Sequence, residues 1–295
     1  MQPRWRTELW TDESMRELAA RDFPWFMRTW DAYPSGVQRA DAFRYMVMYS
    51  VGGVYADLDF ELLRPMDDFL RELSGGVGCA LGQEPLEHVL LLERRDPSER
   101  RAMACNALLV SAPCHPFWLE MLKAAQRANP FDDPVSSTGP RLVSATLESL
   151  RRQNRSSDEC RVEDSVTFYP AFDAKYQRNN IRSKCELLRS YQSQAARPPA
   201  AGGGNATLET RAGGGSNPLA WIGAGRVAAL TPDARAGFAL DMPVKLVPQA
   251  RQLCAQLEAR DYANPDKEAM RNTSLAVHHW VHTWIDGYDN LKSNI

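Results

Sequence analysis

Apolar residues recur at helical spacing in the first fifth of the chain. Val37, Ala40, Phe43, Val47 and Val51 fall on one side of a segment from Gln38 to Ser50, with Asp41, Arg44, Tyr45 and Met48 around the other, so the spacing predicts an amphipathic helix. Gly52 and Gly53 follow, a left-handed cap and a freely turning residue that permit a sharp reversal. The period then changes to two. Val54, Ala56, Leu58, Phe60 and Leu62 alternate with Tyr55, Asp57, Asp59 and Glu61, which predicts a strand over 54–62 with its acidic residues on one face.

The same reading assigns the rest of the chain. Trp5 to Trp10 is expected as a short strand, Glu13 to Arg21 as a helix capped by Thr11 or Asp12, and Pro24 to Trp30 as a second helical segment. Beyond the strand, Pro65 to Leu73 is expected as a helix, Gly76 to Leu81 and Met103 to Val110 as strands, and Phe117 to Ala128 as a helix. Ser137-Thr138-Gly139-Pro140 opens a helix that runs to Gln153. Val166 to Tyr169 reads as a strand and Leu246 to Arg260 as a helix. Between them, residues 193–217 hold glycine triplets and a proline pair with almost nothing to bury, which predicts a disordered insertion. The expected organisation is one α/β domain, with a core over 1–192, the insertion, and its remaining part over 218–295.

Composition sets limits on function. The 295 residues are 44% hydrophobic and 24% charged, ordinary for a chain that buries a full core, and the net charge of -2 argues against nucleic acid or an anionic membrane surface as partner. No stretch approaches the roughly 20 apolar residues of a membrane span, and MQPRWRTELW has no signal-peptide core. Cys79, Cys105, Cys114, Cys160, Cys185 and Cys254 contain no C-x-x-C pair, which argues against zinc and leaves disulfide pairing open. Sequons begin at Asn154, Asn205 and Asn272.

The chemistry concentrates in the helix-glycine-strand stretch. Asp57 and Asp59 on one strand face are either an acidic, solvated surface or hard oxygen ligands for Mg²⁺ or Mn²⁺. Asp41 and Arg44 taken alone are a surface i,i+3 ion pair. The succession of the three elements is a longer pattern than any of its parts.

Arg39, Asp41, Arg44, Tyr45, Gly52, Gly53, Tyr55, Asp57 and Asp59 together resemble the sugar-binding, DXD-motif region of glycosyltransferases related to the initiating α-mannosyltransferase of yeast and the inositol-phosphoceramide mannosyltransferases. The resemblance implies a GT-A-like, Rossmann-like mixed sheet flanked by helices. Donor-sugar contacts are implied for Asp41, Arg44, Asp57 and Asn106, with Asp59 and Asp57 on the cation. It also implies a nucleotide-sugar donor, GDP-mannose before a UDP-hexose, a glycan, glycolipid or protein acceptor, and retention of configuration at the transferred carbon, with no general base assigned. For a full-length eukaryotic chain it implies the Golgi or secretory pathway, otherwise the cytoplasm. The family's usual first strand is expected to be missing, because this chain starts at what is normally the second.

Three of the five histidines fall within Leu275–Trp284, as His278, His279 and His282. By the family's closing motif His278 is the expected third group on the metal or diphosphate, and its alternative is a core histidine satisfied by backbone. His115 reads as a helix N-terminal residue. Two rivals differ in class. A non-catalytic nucleotide-sugar or glycan-binding module shares every one of these features. A haloacid-dehalogenase-like phosphatase also uses D-x-D, but it wants an apolar run where Gly52-Gly53-Val54-Tyr55 stand and a Thr or Val where Glu61 stands.

Overall fold

The computed structural model describes residues 5–99, 103–193, 231–258 and 267–281. They divide into two compact units, one of residues 1–85, 97–173 and 266–295, the other of 86–96 and 174–265.

The first unit opens with α1 (Asp12–Asp22), whose N-cap Thr11 forms a reciprocal capping box with Ser14, and α2 (Met27–Ala32). The central helix α3 (Gly36–Ser50) starts from a second such box, between Ser35 and Gln38. β1 (Gly53–Ala56), β2 (Phe60–Leu62), α4 (Asp67–Ser74), β3 (Cys79–Gln83) and β4 (Ala104–Ser111) follow. Next come α5 (Pro116–Arg127), α6 (Pro134–Ser137), α7 (Pro140–Arg152), β5 (Arg161–Glu163) and α8 (Ser165–Phe168). The second unit holds α9 (Ala174–Ser193), α10 (Pro232–Ala239) and α11 (Val247–Glu258), with the Cys185–Cys254 disulfide joining α9 to α11. The chain then returns to the first unit as α12 (Lys267–Thr273) and β6 (Ala276–His278).

The main sheet has the order β1-β4-β3-β5, with β4 antiparallel to both neighbours and β5 parallel to β3. This is the expected mixed sheet flanked by helices. Every residue of β3 and β4 is buried. Phe43, Tyr45, Met46, Phe117, Trp118, Met121 and Leu147 from α3, α5 and α7 pack one face, and Met66, Leu73, Phe168 and Tyr169 pack the other. A disulfide joins Cys79 of β3 to Cys160, 81 positions on. Replacing Cys79 and Cys160 by alanine should lower unfolding free energy by about 2–5 kcal/mol in urea titration, and a loss below about 0.5 kcal/mol would contradict a stabilising cross-link.

Three expectations change. Trp5 to Trp10 forms no strand, and Trp5 is instead partly buried against the core cluster that holds Met66, Leu73, Phe168 and Tyr169. Val166 lies in the helical turn α8, because the Asp164 side chain accepts from Val166 N–H at 3.1 Å and caps it; the strand is the preceding Arg161–Glu163. The single strand over 54–62 is two strands in two sheets. Phe60 N–H donates to the Asp57 carbonyl at 3.1 Å, so the chain turns at 57–59, β1 stays with β4, and β2 pairs with β6 in a separate two-stranded sheet. Leu58, expected on the apolar face, sits at the turn and is 89% exposed.

Ser193 closes α9, and the remainder of the expected insertion, 194–217, lies outside the described residues, as do Asn205, His282 and Trp284. Asn154 and Asn272 are exposed. Among the described residues no helix is long and apolar enough to cross a membrane.

Candidate functional site

The expected polar side of α3 is buried, not solvated. The helix lies between α1 and α5 on one side and β4 on the other, so Asp41, Arg44, Tyr45 and Met48 are all inside, whereas Val51 from the expected apolar side is exposed. Asp41 and Arg44 stand one turn apart with Arg44 Nη2 3.0 Å from Asp41 Oδ1, each side chain 7% exposed. This is a desolvated pair, for which geometry and further hydrogen bonds decide whether the site is tolerable at all.

Those further bonds come from distant parts of the chain. Asn106 Nδ2 on β4 donates to Asp41 Oδ1 at 2.9 Å and to the Tyr45 hydroxyl at 3.0 Å. Thr138 Oγ1 donates to Asp41 Oδ2 at 2.7 Å, and the Tyr45 hydroxyl donates to the Thr138 carbonyl at 2.6 Å. Three of the roughly four acceptor positions of the Asp41 carboxylate are thereby used. Burial pushes this carboxyl up from its ordinary range, with Arg44 and Thr138 acting against the shift. Arg44 Nη1 donates to the Asn106 carbonyl at 2.7 Å, and the guanidinium lies over the Tyr55 ring at 5.1 Å. Burial works against its charge, yet Asp57, Tyr55 and Asp41 hold its pKa well above the usual value. Gln38 ties the start of α3 to the same loop, donating to Ser137 Oγ at 2.9 Å and to the Pro130 carbonyl at 2.8 Å.

Asp57 links this network to a second cluster. Its carboxylate accepts from the Tyr55 hydroxyl at 2.8 Å and lies 3.4 Å from Arg44. The turn, not strand alternation, brings Asp59 beside it. Gly52 and Gly53, both at positive φ, set the approach; a Cβ on Gly52 would lie 2.6 Å from Pro113 N, so only glycine fits. The β2–β6 ladder pairs Phe60 with His278 and so brings His278 Nε2 to 3.0 Å from Asp59 Oδ1. Burial alone would raise the Asp59 carboxyl, but His278 and the Val281 N–H outweigh it and hold it below the usual range.

Ligand atoms of Asp57, Asp59 and His278 lie within 4.8 Å of one another. The fit to a divalent cation is good: two carboxylates and an imidazole are a donor set that suits Mn²⁺. The Asp59–His278 separation matches the roughly 3 Å expected between neighbouring ligands of an octahedral ion. His278 Nδ1 is a buried nitrogen with no hydrogen-bond partner among the described residues. Phe60 and Trp280 pack the imidazole at ring-centroid distances of 4.7 and 4.3 Å.

The structure thus brings Asp41, Arg44, Asp57, Asp59, Asn106 and His278 into two adjoining clusters. His279 faces away, 3.2 Å from Glu61 and partly exposed, and His115 caps α5, its Nδ1 accepting from Phe117 N–H and its Nε2 2.9 Å from the Val77 carbonyl. Thr138 lies in the T-G-P turn that the family resemblance sets near the sugar and acceptor side, and it does reach Asp41. Tyr45, Tyr55 and the Val281 amide were not foreseen as site groups; the two tyrosines lie inside the motif, so the signal was present for them, whereas nothing in a sequence marks a backbone amide.

Residues 1–74 match the family described as "Glycosyltransferase sugar-binding region containing DXD motif". Inositol phosphoceramide mannosyltransferase 3 of Schizosaccharomyces pombe is 34% identical over 158 residues, which is 52% of this chain and 38% of that protein. Mannosyl phosphorylinositol ceramide synthase SUR1 of Saccharomyces cerevisiae is 29% identical over 157 residues, 52% of this chain and 36% of that protein. An uncharacterized glycosyltransferase, L373, of Acanthamoeba polyphaga mimivirus is 25% identical over 167 residues, 56% of this chain and 60% of that protein. The chain thus spans well under half the length of the two yeast relatives. No solved structure matches it. The matched residues 1–74 hold Asp41, Arg44, Asp57 and Asp59, so the similarity to the DXD-motif sugar-binding region falls on the site itself.

Proposed function

We propose that the chain is a metal-dependent glycosyltransferase that moves a hexose from a nucleotide sugar, mannose from GDP-mannose before a UDP-hexose, to a glycan or glycolipid acceptor with retention. The observation that carries this reading is the juxtaposition of the buried Asp41–Arg44–Asn106 network with the Asp57–Asp59–His278 cluster. The names of the yeast relatives favour mannose and a ceramide-bearing acceptor.

Asp59, Asp57 and His278 would hold Mn²⁺ or Mg²⁺, which as a Lewis acid would supply neutralisation of the charge on a departing diphosphate. Arg44, fixed by Asp41 and the Asn106 carbonyl, presents a charge that cannot be lost near neutral pH and orients the donor. Asp41, with one acceptor position left, binds a donor-sugar hydroxyl or faces the positive charge that develops on the sugar ring. Asn106 and Thr138 hold the Asp41 carboxylate in place. Residues 267–281 complete the same catalytic core by returning β6 to β2. The Cys79–Cys160 and Cys185–Cys254 disulfides support maturation in an oxidising compartment such as the secretory pathway.

A donor-hydrolysis screen with GDP- and UDP-sugars, with and without Mn²⁺, tests the reading. Metal-dependent release of nucleotide, fastest from GDP-mannose, is the expected result. Tight nucleotide binding by calorimetry with no hydrolysis or transfer from any donor would select a non-catalytic binding module instead.

A further inference from the structure

Asp59 is held by a segment that returns 222 positions later in the chain. His279 N–H donates to the Asp59 carbonyl at 2.9 Å, Val281 N–H donates to Asp59 Oδ2 at 2.7 Å, and His278 Nε2 lies 3.0 Å from Asp59 Oδ1. Both carboxylate oxygens and the main chain of one residue are thus engaged by the stretch 278–281.

A straight strand could not make all three contacts. The register pairs Phe60 with His278, so His279 falls opposite Asp59, and an extended continuation would carry Val281 two residues further, opposite Asp57. Trp280 prevents this. Its φ is +54°, a left-handed backbone that bulky side chains rarely adopt, and it turns the chain so that Val281 N–H meets the Asp59 side chain. What holds a tryptophan there is its indole: Nε1 donates to the Ala171 carbonyl at 2.9 Å, and the ring packs edge-on against His278 at 4.3 Å. A disfavoured conformation retained by surrounding contacts beside a ligand cluster is where backbone strain serves a site.

We propose that Trp280 is a positioning residue for the cation site. Its pinned left-handed backbone aims the Val281 amide at Asp59 and fixes that carboxylate in the orientation in which Asp57, Asp59 and His278 share one divalent ion. The inference rests on the metal-dependent reading given above, and it assigns Trp280 a role through its main chain.

Mn²⁺ binding to the full chain, read from the loss of the free-ion signal in electron paramagnetic resonance without any donor, tests it. Trp280→Gly and Trp280→Ala both remove the indole, but only glycine adopts positive φ without penalty. Both should bind Mn²⁺ more weakly than the wild type, with the glycine variant about fivefold tighter than the alanine variant, the ratio set by the cost of a left-handed alanine. Trp280→Asn, which tolerates that region better than alanine, should also bind more tightly than the alanine variant and keeps the order readable if one of the others does not fold. A packing role alone would affect glycine and alanine alike or penalise glycine more, so equal affinities, or alanine the tighter, would overturn the proposal. Wild-type protein that takes up no Mn²⁺ would overturn the metal reading itself, a result distinct from wild-type binding with matched variants.

Discussion

Asp59→Asn should lower metal-dependent donor turnover by about 10²–10³-fold, the scale on which a preorganised electrostatic contact to a transition state acts. Asparagine keeps the size of the side chain and one oxygen to accept from Val281 N–H, but it removes the charge that pairs with a cation and with His278. The loss should therefore appear in turnover and Mn²⁺ affinity much more than in folding. The pH dependence gives a separate check. Because the folded-state carboxyl of Asp59 lies below its usual range, the stability it supplies is complete above the ordinary carboxylate pKa and disappears as pH falls through the lowered one. The small difference in melting temperature between wild type and Asp59→Asn should accordingly close on acidification. Undiminished metal-dependent turnover in the variant would remove Asp59 from the site.

Arg44→Met should have the largest effect on stability, about 3–5 kcal/mol lost, because it leaves the Asp41 carboxylate buried without its counter-charge. The Asn106 and Thr138 bonds remain, yet neither carries charge, and burial then pushes the Asp41 carboxyl further up. Adding Asp41→Asn to Arg44→Met should recover part of the loss, since the uncompensated charge is gone and the shape is nearly kept. Urea unfolding of the three variants measures both changes. A loss in Arg44→Met below about 1 kcal/mol would show that the pair behaves as the solvated surface ion pair the sequence alone also allowed.

That contrast marks how far local sequence reaches. The spacing from Asp41 to Arg44 is one helical turn and sets the two side chains on one face wherever the helix lies. Periodicity cannot say what covers that face. The same limit applies to the alternation over 54–62: its two ends are strands, but alternation has no term for the turn at 57–59 that forms when β1 follows β4 and β2 follows β6. Val166 failed for a related reason. An apolar β-branched residue next to an aromatic reads as a strand, and the capping by Asp164 outweighs that propensity. His278 was found through the family's closing motif, whereas its packing by Phe60 and Trp280 belongs to the fold.

The sequence by itself determined the elements that depend on neighbours: α3 and its glycine stop, the diglycine reversal and the strand β4. These follow from periods of two and 3.6 residues and from turn chemistry, which act over a few bonds, whereas the reaction class was read only from the motif's resemblance to a known family. The tertiary structure alone decided that Asp41 and Arg44 are desolvated, that a turn brings Asp57 and Asp59 together, and that the Val281 amide completes the hold on Asp59. Those facts depend on contacts from Asn106, Thr138 and Val281 at sequence separations of 65, 97 and 222. Burial and long-range pairing are properties of the closed chain, and no local pattern carries them.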